Sequence, residues 1–98
     1  MSKLIFLSAA NSDLQQAINF YRQRSLVVAR DFLDEVQRAS TLLLDFPHAC
    51  PIVRGEIRQK VLRRFPFSIL YLIGDDLVVV VAVMHHHRRP DYWNARIK

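Results

Sequence analysis

A two-layer α+β fold, with a helical hairpin packed on a small, mostly antiparallel sheet, is the class this sequence predicts, and three observations predict it. Leu14, Ala17, Ile18 and Tyr21 recur at helical spacing, and a second stripe follows from Ala29 onward. Later, Phe67 to Ile73 and Leu77 to Met84 are rich in β-branched and aromatic residues, with only Gly74-Asp75-Asp76 between them. Four consecutive valines, Val78 to Val81, mark a central strand covered on both sides.

Taken in order, Lys3 to Leu7 reads as a short first strand, and Ser8 offers a hydroxyl to cap a helix beginning around Ala9-Ala10-Asn11. On that helix Gln15, Gln16, Asn19 and Gln23 face away from the apolar stripe. A second helix starts after Ser25; its stripe is Ala29, Phe32, Leu33, Val36, Ala39 or Ser40, Leu43 and Phe46, and Pro47 ends it. The short break between the two makes an antiparallel hairpin. After the loop from Pro47 to Pro51, Ile57 to Phe65 alternates imperfectly and reads as a strand. The runs on either side of Gly74-Asp75-Asp76 complete a three-strand antiparallel meander through a tight hairpin turn. Pro90 to Arg96 forms a final helical turn, with Pro90 at its first position.

Ninety-eight residues, 51% of them hydrophobic with two glycines and four prolines, suit one compact domain spanning residues 1–98. The lone cysteine, Cys50, excludes an internal disulfide and any cysteine-built metal cluster. The apolar run Leu4 to Leu7 is too short for the core of a signal peptide, and Leu77 to Met84 falls far short of the roughly 20 residues of a membrane helix. We therefore expect a cytoplasmic location and no membrane partner. There is no Gly-rich phosphate loop, nucleophile elbow or convincing carboxylate pair, and we expect no cofactor.

Charge is one-sided. Residues 1–53 carry five basic and five acidic side chains, whereas residues 54–98 carry nine basic against four acidic, so the whole net charge of +5 lies in the second half. That balance suits a polyanionic or acidic partner. Arg58, Lys60, Arg63 and Arg64 form one basic group, and His85, Arg88 and Arg89 a second, behind the valine strand. Arginine grips phosphate or carboxylate bidentately, lysine as a point charge. Tyr92 and Trp93 suit stacking on a base or an arginine, or packing that pins the terminal turn to the sheet; packing is the reading we take for Trp93. His85, His86 and His87 invite a metal, but alternation lets only His85 and His87 share a face, and we expect no metal site. In cationic company these histidines are disfavoured as cations and suited to act as bases or neutral donors and acceptors.

In order along the chain, Ala10-x-x-Asp13-Leu14, Phe20-Tyr21, Ala29-x-x-Phe32-Leu33, Phe46-Pro47, Arg58, Phe65-Pro66-Phe67-x-Ile69-x-Tyr71 and Ala82-Val83-x-His85-x-x-Arg88-x-Pro90-x-Tyr92-Trp93 resemble the RelE/ParE superfamily of bacterial toxins from type II toxin–antitoxin modules. The resemblance spans nearly the whole chain and implies a helical hairpin on a curved antiparallel sheet. It also implies a cognate antitoxin whose extended, partly disordered tail, which we expect to be acidic, wraps the toxin and folds on it, covering groove and sheet edge, to give a hetero-oligomer.

Two activities divide the superfamily. RelE-like members cut messenger RNA on the ribosome with cationic side chains and a late tyrosine; ParE-like members, the plasmid-stabilisation type, poison DNA gyrase. Ser68 stands where RelE-like nucleases tend to carry an arginine, and the Phe-Pro-Phe and Pro-x-Tyr-Trp elements look more like the ParE branch. The reading is thus a ParE-like gyrase poison, not itself an enzyme. Its target- or antitoxin-binding candidates are Arg58, Lys60, Arg63, Arg64, His85, Arg88, Arg89, Tyr92 and Trp93. In the alternative, an endoribonuclease, His85, Arg88, Tyr92, Arg58 and Lys60 converge, with His85 as base and Arg88 as phosphate clamp. A third reading is a non-toxic basic interaction module.

Overall fold

The computed structural model describes residues 3–89 and 91–97. It is the expected α+β arrangement: β1 (Lys3–Phe6), α1 (Ser8–Arg22), α2 (Leu26–Asp45), β2 (Ile52–Arg54), β3 (Ile57–Val61), β4 (Phe67–Gly74), β5 (Leu77–His85) and a 3-10 turn at Asn94–Ile97. The sheet is open and mixed, in the order β1-β5-β4-β3-β2. Strands β2 to β5 form an antiparallel meander, and β1 pairs in parallel with β5, from Lys3 beside Leu77 to Phe6 beside Val80. β1 and β2 lie at opposite edges, so the helical hairpin connecting them crosses one face of the sheet.

Four expectations need correction. Ser8 does not cap α1: the Leu7 N–H still donates to the Val80 carbonyl at 3.0 Å, so the chain stays extended through Leu7 and Ser8 becomes the first helical residue. Ser25 does cap α2, accepting from the Val28 amide at 3.3 Å. Phe46 leaves the buried stripe because its backbone has already left the helix (φ −135°, ψ 63°), and the ring is exposed. The strand expected to reach Phe65 stops at Val61, because the Arg63 and Arg64 amides turn aside to the Glu35 carboxylate. Finally, β2 was not foreseen. Its three residues are all exposed, leaving no alternation to read, and Gly55 (φ +55°) closes its turn into β3. Pro90, expected to open the terminal turn, lies outside the described residues.

Each face of the sheet has its own core. On the helix side Phe32, Val36 and Leu43 of α2 and Leu14 of α1 pack on Ile69, Tyr71, Val78 and Val80. Tyr21, Phe32, Phe65 and Phe67 form a mutual aromatic cluster with ring centroids 5.1–6.3 Å apart. On the opposite face Trp93 folds back over Ile57, Leu70, Val81 and Ala82. Of the four valines, Val78 and Val80 are buried under the helices and Val81 under Trp93, as expected, whereas Val79 is only half-buried.

A register shift decides which residues reach which face. Leu70 pairs with Ala82 but Tyr71 pairs with Val80, so Val81 is an extra residue, a β-bulge. Before it, Val78 and Val80 face the helices; after it, Val83 and His85 do. Without the bulge the side-chain period of two would have sent Ala82, Met84 and His86 there instead.

Candidate functional site

Where β1 ends at Phe6, the outer edge of β5 loses its strand partner. Two side chains take its place. The Asp13 carboxylate, from α1, accepts the Val83 N–H at 3.1 Å, and the Arg96 guanidinium donates to the Val81 carbonyl at 3.0 Å. Asp13 and Arg96 are also paired bidentately, at 2.7 and 3.1 Å, with both side chains largely buried. The Tyr92 hydroxyl donates to the same Asp13 oxygen at 3.1 Å. Its pKa is pushed up to about 12, first by burial and then by the Asp13 charge. The hydrogen bond to Asp13 raises the pKa of Arg96. Tyr92, as a neutral donor, and Arg96, as a cation, thus fix the C-terminal turn to the sheet edge.

Above this clamp lies a mainly apolar cavity of about 210 Å³, lined by Asp13, Gln16, Ala17 and Phe20 of α1 with Phe67, Val83, His85, Arg88 and Tyr92. The exposed Arg88 lies over the Tyr92 ring, 4.2 Å from its centroid, with Arg96 4.8 Å from the same centroid. His85 meets Phe67 and His87 edge-on, at 4.9 and 5.1 Å, and its Nδ1 accepts the His87 amide at 3.0 Å. Burial, and then the two neighbouring histidines, lower its pKa, so the ring is neutral at pH 7. This cavity offers a flat aromatic wall, a neutral imidazole and one exposed guanidinium.

His86 points to the other face, where its Nε2 meets the Ser68 hydroxyl at 2.8 Å. Ser68, with no exposure, also accepts from Gln59 Nε2 at 2.9 Å. Trp93 is only 3% exposed, so its place is packing, in agreement with that reading. Arg89 stays exposed, 3.8 Å from Asp91. Among the described residues, no three His, Cys, Asp or Glu side chains come together as metal ligands.

The basic group on β3 does not join this cavity. Arg58 is spent inside the fold, donating to the His48 and Cys50 carbonyls at 3.2 and 2.7 Å, beside Tyr71, whose hydroxyl donates to Pro47 at 2.7 Å. Arg64 is held by Glu35, its Nε 3.3 Å from Oε1. Burial raises the Glu35 pKa, but the Arg64 and Arg63 amides and the Arg64 guanidinium outweigh it, and the carboxyl ends below its usual range. Lys60, Arg63 and Arg64 line a second groove, against α2. Lys60 pairs with Ile69, and Ile69 with Val83, so two strand spacings, roughly 10 Å, separate Lys60 from the first cavity.

Asp13, Arg96 and Glu35 were given no role from sequence. The signal for the two acids was present: Asp13 follows Ala10 by three and precedes Ala17 by four, and Glu35 stands likewise between Phe32 and Ala39. Each is a carboxylate set within an apolar stripe, and a buried charge demands a partner.

No helix among the described residues is long and apolar enough to cross a membrane. No curated protein sequence matches the chain. Among solved structures, a chain of the chromosomal ParDE TA system from P. aeruginosa superposes with a TM-score of 0.74, at 18% identity, over 87% of this chain and 96% of that one; at that identity the likeness bears on the fold. The family model described as the ParE toxin of the type II toxin-antitoxin system, parDE, matches residues 4–90. With most of its length so matched, the chain belongs to the ParE toxin family of type II toxin–antitoxin systems.

Proposed function

We propose that this toxin arrests bacterial growth by poisoning DNA gyrase and is neutralised by a cognate antitoxin with an acidic segment. The observation that carries the reading is the ParE family match over residues 4–90. The site chemistry supports it by contrast with RNA cleavage. The late tyrosine that a nuclease would use is bonded to Asp13, with its pKa raised to about 12, and Arg58 is committed to loop carbonyls. What remains at the end of β5 is a recognition surface: Arg88 held over an aromatic ring, Arg89 exposed beside it, and the apolar cavity beneath. We assign Arg88 as the principal target contact, and the surroundings of His85 and Tyr92 as its support.

The test is to induce the chain alone in bacteria and follow DNA and protein synthesis separately over the first minutes. Early loss of DNA synthesis is expected. Early loss of protein synthesis would instead indicate RNA cleavage, and no effect on either a binding module without toxicity. Arg88→Ala should abolish the arrest while leaving the circular dichroism spectrum intact; a folded, fully toxic variant would remove Arg88 from the site.

A further inference from the structure

Trp93 covers the face of the sheet away from the helices, packed with Ile57, Leu70, Val81 and Ala82, yet its indole N–H is buried without a hydrogen-bond partner. A donor left unsatisfied inside a fold is costly, and most such groups are paired. The same ring is a shared wall of two cavities, and Arg54 is the other residue they have in common.

The two cavities differ in charge. One, of about 420 Å³, has Glu56 in its wall beside Arg54, so an anion placed there meets a carboxylate as well as a cation. The other, of about 270 Å³, is lined by Val53, Arg54, Gln59, Leu70, Met84 and Trp93, and Arg54 is its only charged residue. Every strand of the meander contributes to it: Val53 and Arg54 from β2, Gln59 from β3, Leu70 from β4 and Met84 from β5. Among the described residues, the Arg54 guanidinium has neither a hydrogen-bonded nor an ionic partner. The Gln59 Nε2 is already given to Ser68. The free donors are therefore a guanidinium and an indole N–H, set among apolar side chains.

Two donors, one of them cationic, in an apolar bed suit a group that only accepts and carries negative charge, joined to an apolar body. A carboxylate meets that description, with two oxygens to share between the guanidinium and the indole. The volume lies just below the roughly 300–1,000 Å³ of sites for drug-sized ligands, so the occupant is small. Nε1 sits beneath the cavity wall, and Met84, unbranched and half-buried, is the side chain best able to shift and admit an acceptor to it.

We infer that the cavity between β2 and Trp93 binds a small carboxylic acid with an apolar body, its carboxylate on Arg54 and the Trp93 N–H and its body against Val53, Leu70 and Met84. This site lies on the sheet face opposite the cavity of His85 and Arg88, and it does not depend on what the toxin attacks. A ligand held there ties β2 to the C-terminal turn through one ion pair and one hydrogen bond.

The probe is hexanoate, titrated into the nitrogen-15-labelled full chain and followed by magnetic resonance. Trp93 is the only tryptophan, so its side-chain N–H gives a single indole signal that needs no assignment. Hexanoate should move that signal downfield and saturate, with a dissociation constant on the order of 1 mM, as suits so small a ligand. Hexanol, which keeps the body and lacks the charge, and acetate, which keeps the charge and lacks the body, should each bind at least about ten-fold more weakly. Arg54→Ala should weaken hexanoate about ten-fold, and Arg88→Ala should leave it unchanged. An indole signal that stays in place or drifts without saturating would overturn the inference. So would hexanol or acetate binding as tightly as hexanoate, or an Arg54→Ala chain with a native amide spectrum and undiminished affinity. The comparison of the three ligands uses the wild-type chain alone, so it decides the matter even where the variant fails to fold.

Discussion

The end of β5 and the α2–β3 groove carry similar numbers of basic side chains but use them oppositely. At the strand end Arg96 is bonded to Asp13 and Val81, Tyr92 to Asp13, and Arg88 rests on the Tyr92 ring. In the groove only Arg64 has an acid, and the acid itself serves mainly the backbone. Composition counts both sets alike as positive charge. What separates them is whether a carboxylate was buried nearby and left oxygens to spare, and that determines which cations hold the fold and which do not.

The contrast can be broken most directly at Asp13. Removing one partner of a largely buried, bidentate pair leaves the other charge uncompensated, so Asp13→Ala should cost about 3–5 kcal/mol in urea unfolding. It should also free the amides of the C-terminal turn to hydrogen exchange; an unchanged midpoint would mean that the clamp carries no more of the fold than the groove does. Glu35→Ala comes next, at about 2 kcal/mol, because two backbone amides lose their acceptor. Its pH dependence gives a separate check. The folded pKa of Glu35 is depressed, so its contribution is complete above the unfolded value of 4.5 and fades as pH falls below it. An acid titration of stability should be shallower in Glu35→Gln than in the wild type, and equal slopes would argue against the assignment. Tyr92→Phe keeps the ring beneath Arg88 and loses one hydrogen bond, for about 1 kcal/mol by thermal unfolding. Smallest of all, Lys60→Ala should shift stability by less than about 0.5 kcal/mol, since its ammonium holds nothing; a large loss would show that the groove cations are structural after all.

Much of the fold was legible because hydrophobic period and turn chemistry are local properties. The helical stripes ending at Tyr21 and Leu43, the tight turn at Asp75-Asp76 and the central position of the valine strand all followed from neighbours in the chain. What escaped was set at long range. Glu35 ends β3 from 28 residues away, β2 exists only because β3 offers it an edge, and the bulge at Val81 shows itself only when β4 is laid alongside. That bulge places His85 rather than His86 in the cavity, a choice that three consecutive histidines cannot reveal. The candidate site was legible as residue types and illegible as allegiances. Arg58 reads as a free cation until the carbonyls of His48 and Cys50 are seen around it.

The arrangement of Asp13 and Arg96 also bears on how the protein behaves in a crowded cell. A strand edge with unsatisfied amides and carbonyls is a template on which another chain can pair. Here β1 stops short, and a carboxylate and a guanidinium supply the missing acceptor and donor without presenting a fresh edge in turn. The edge of β5 beyond Phe6 is closed by two side chains instead of by a longer β1. Breaking that pair would expose a valine-rich ribbon as well as lowering stability, and the resulting protein should gather into edge-to-edge assemblies instead of remaining dispersed.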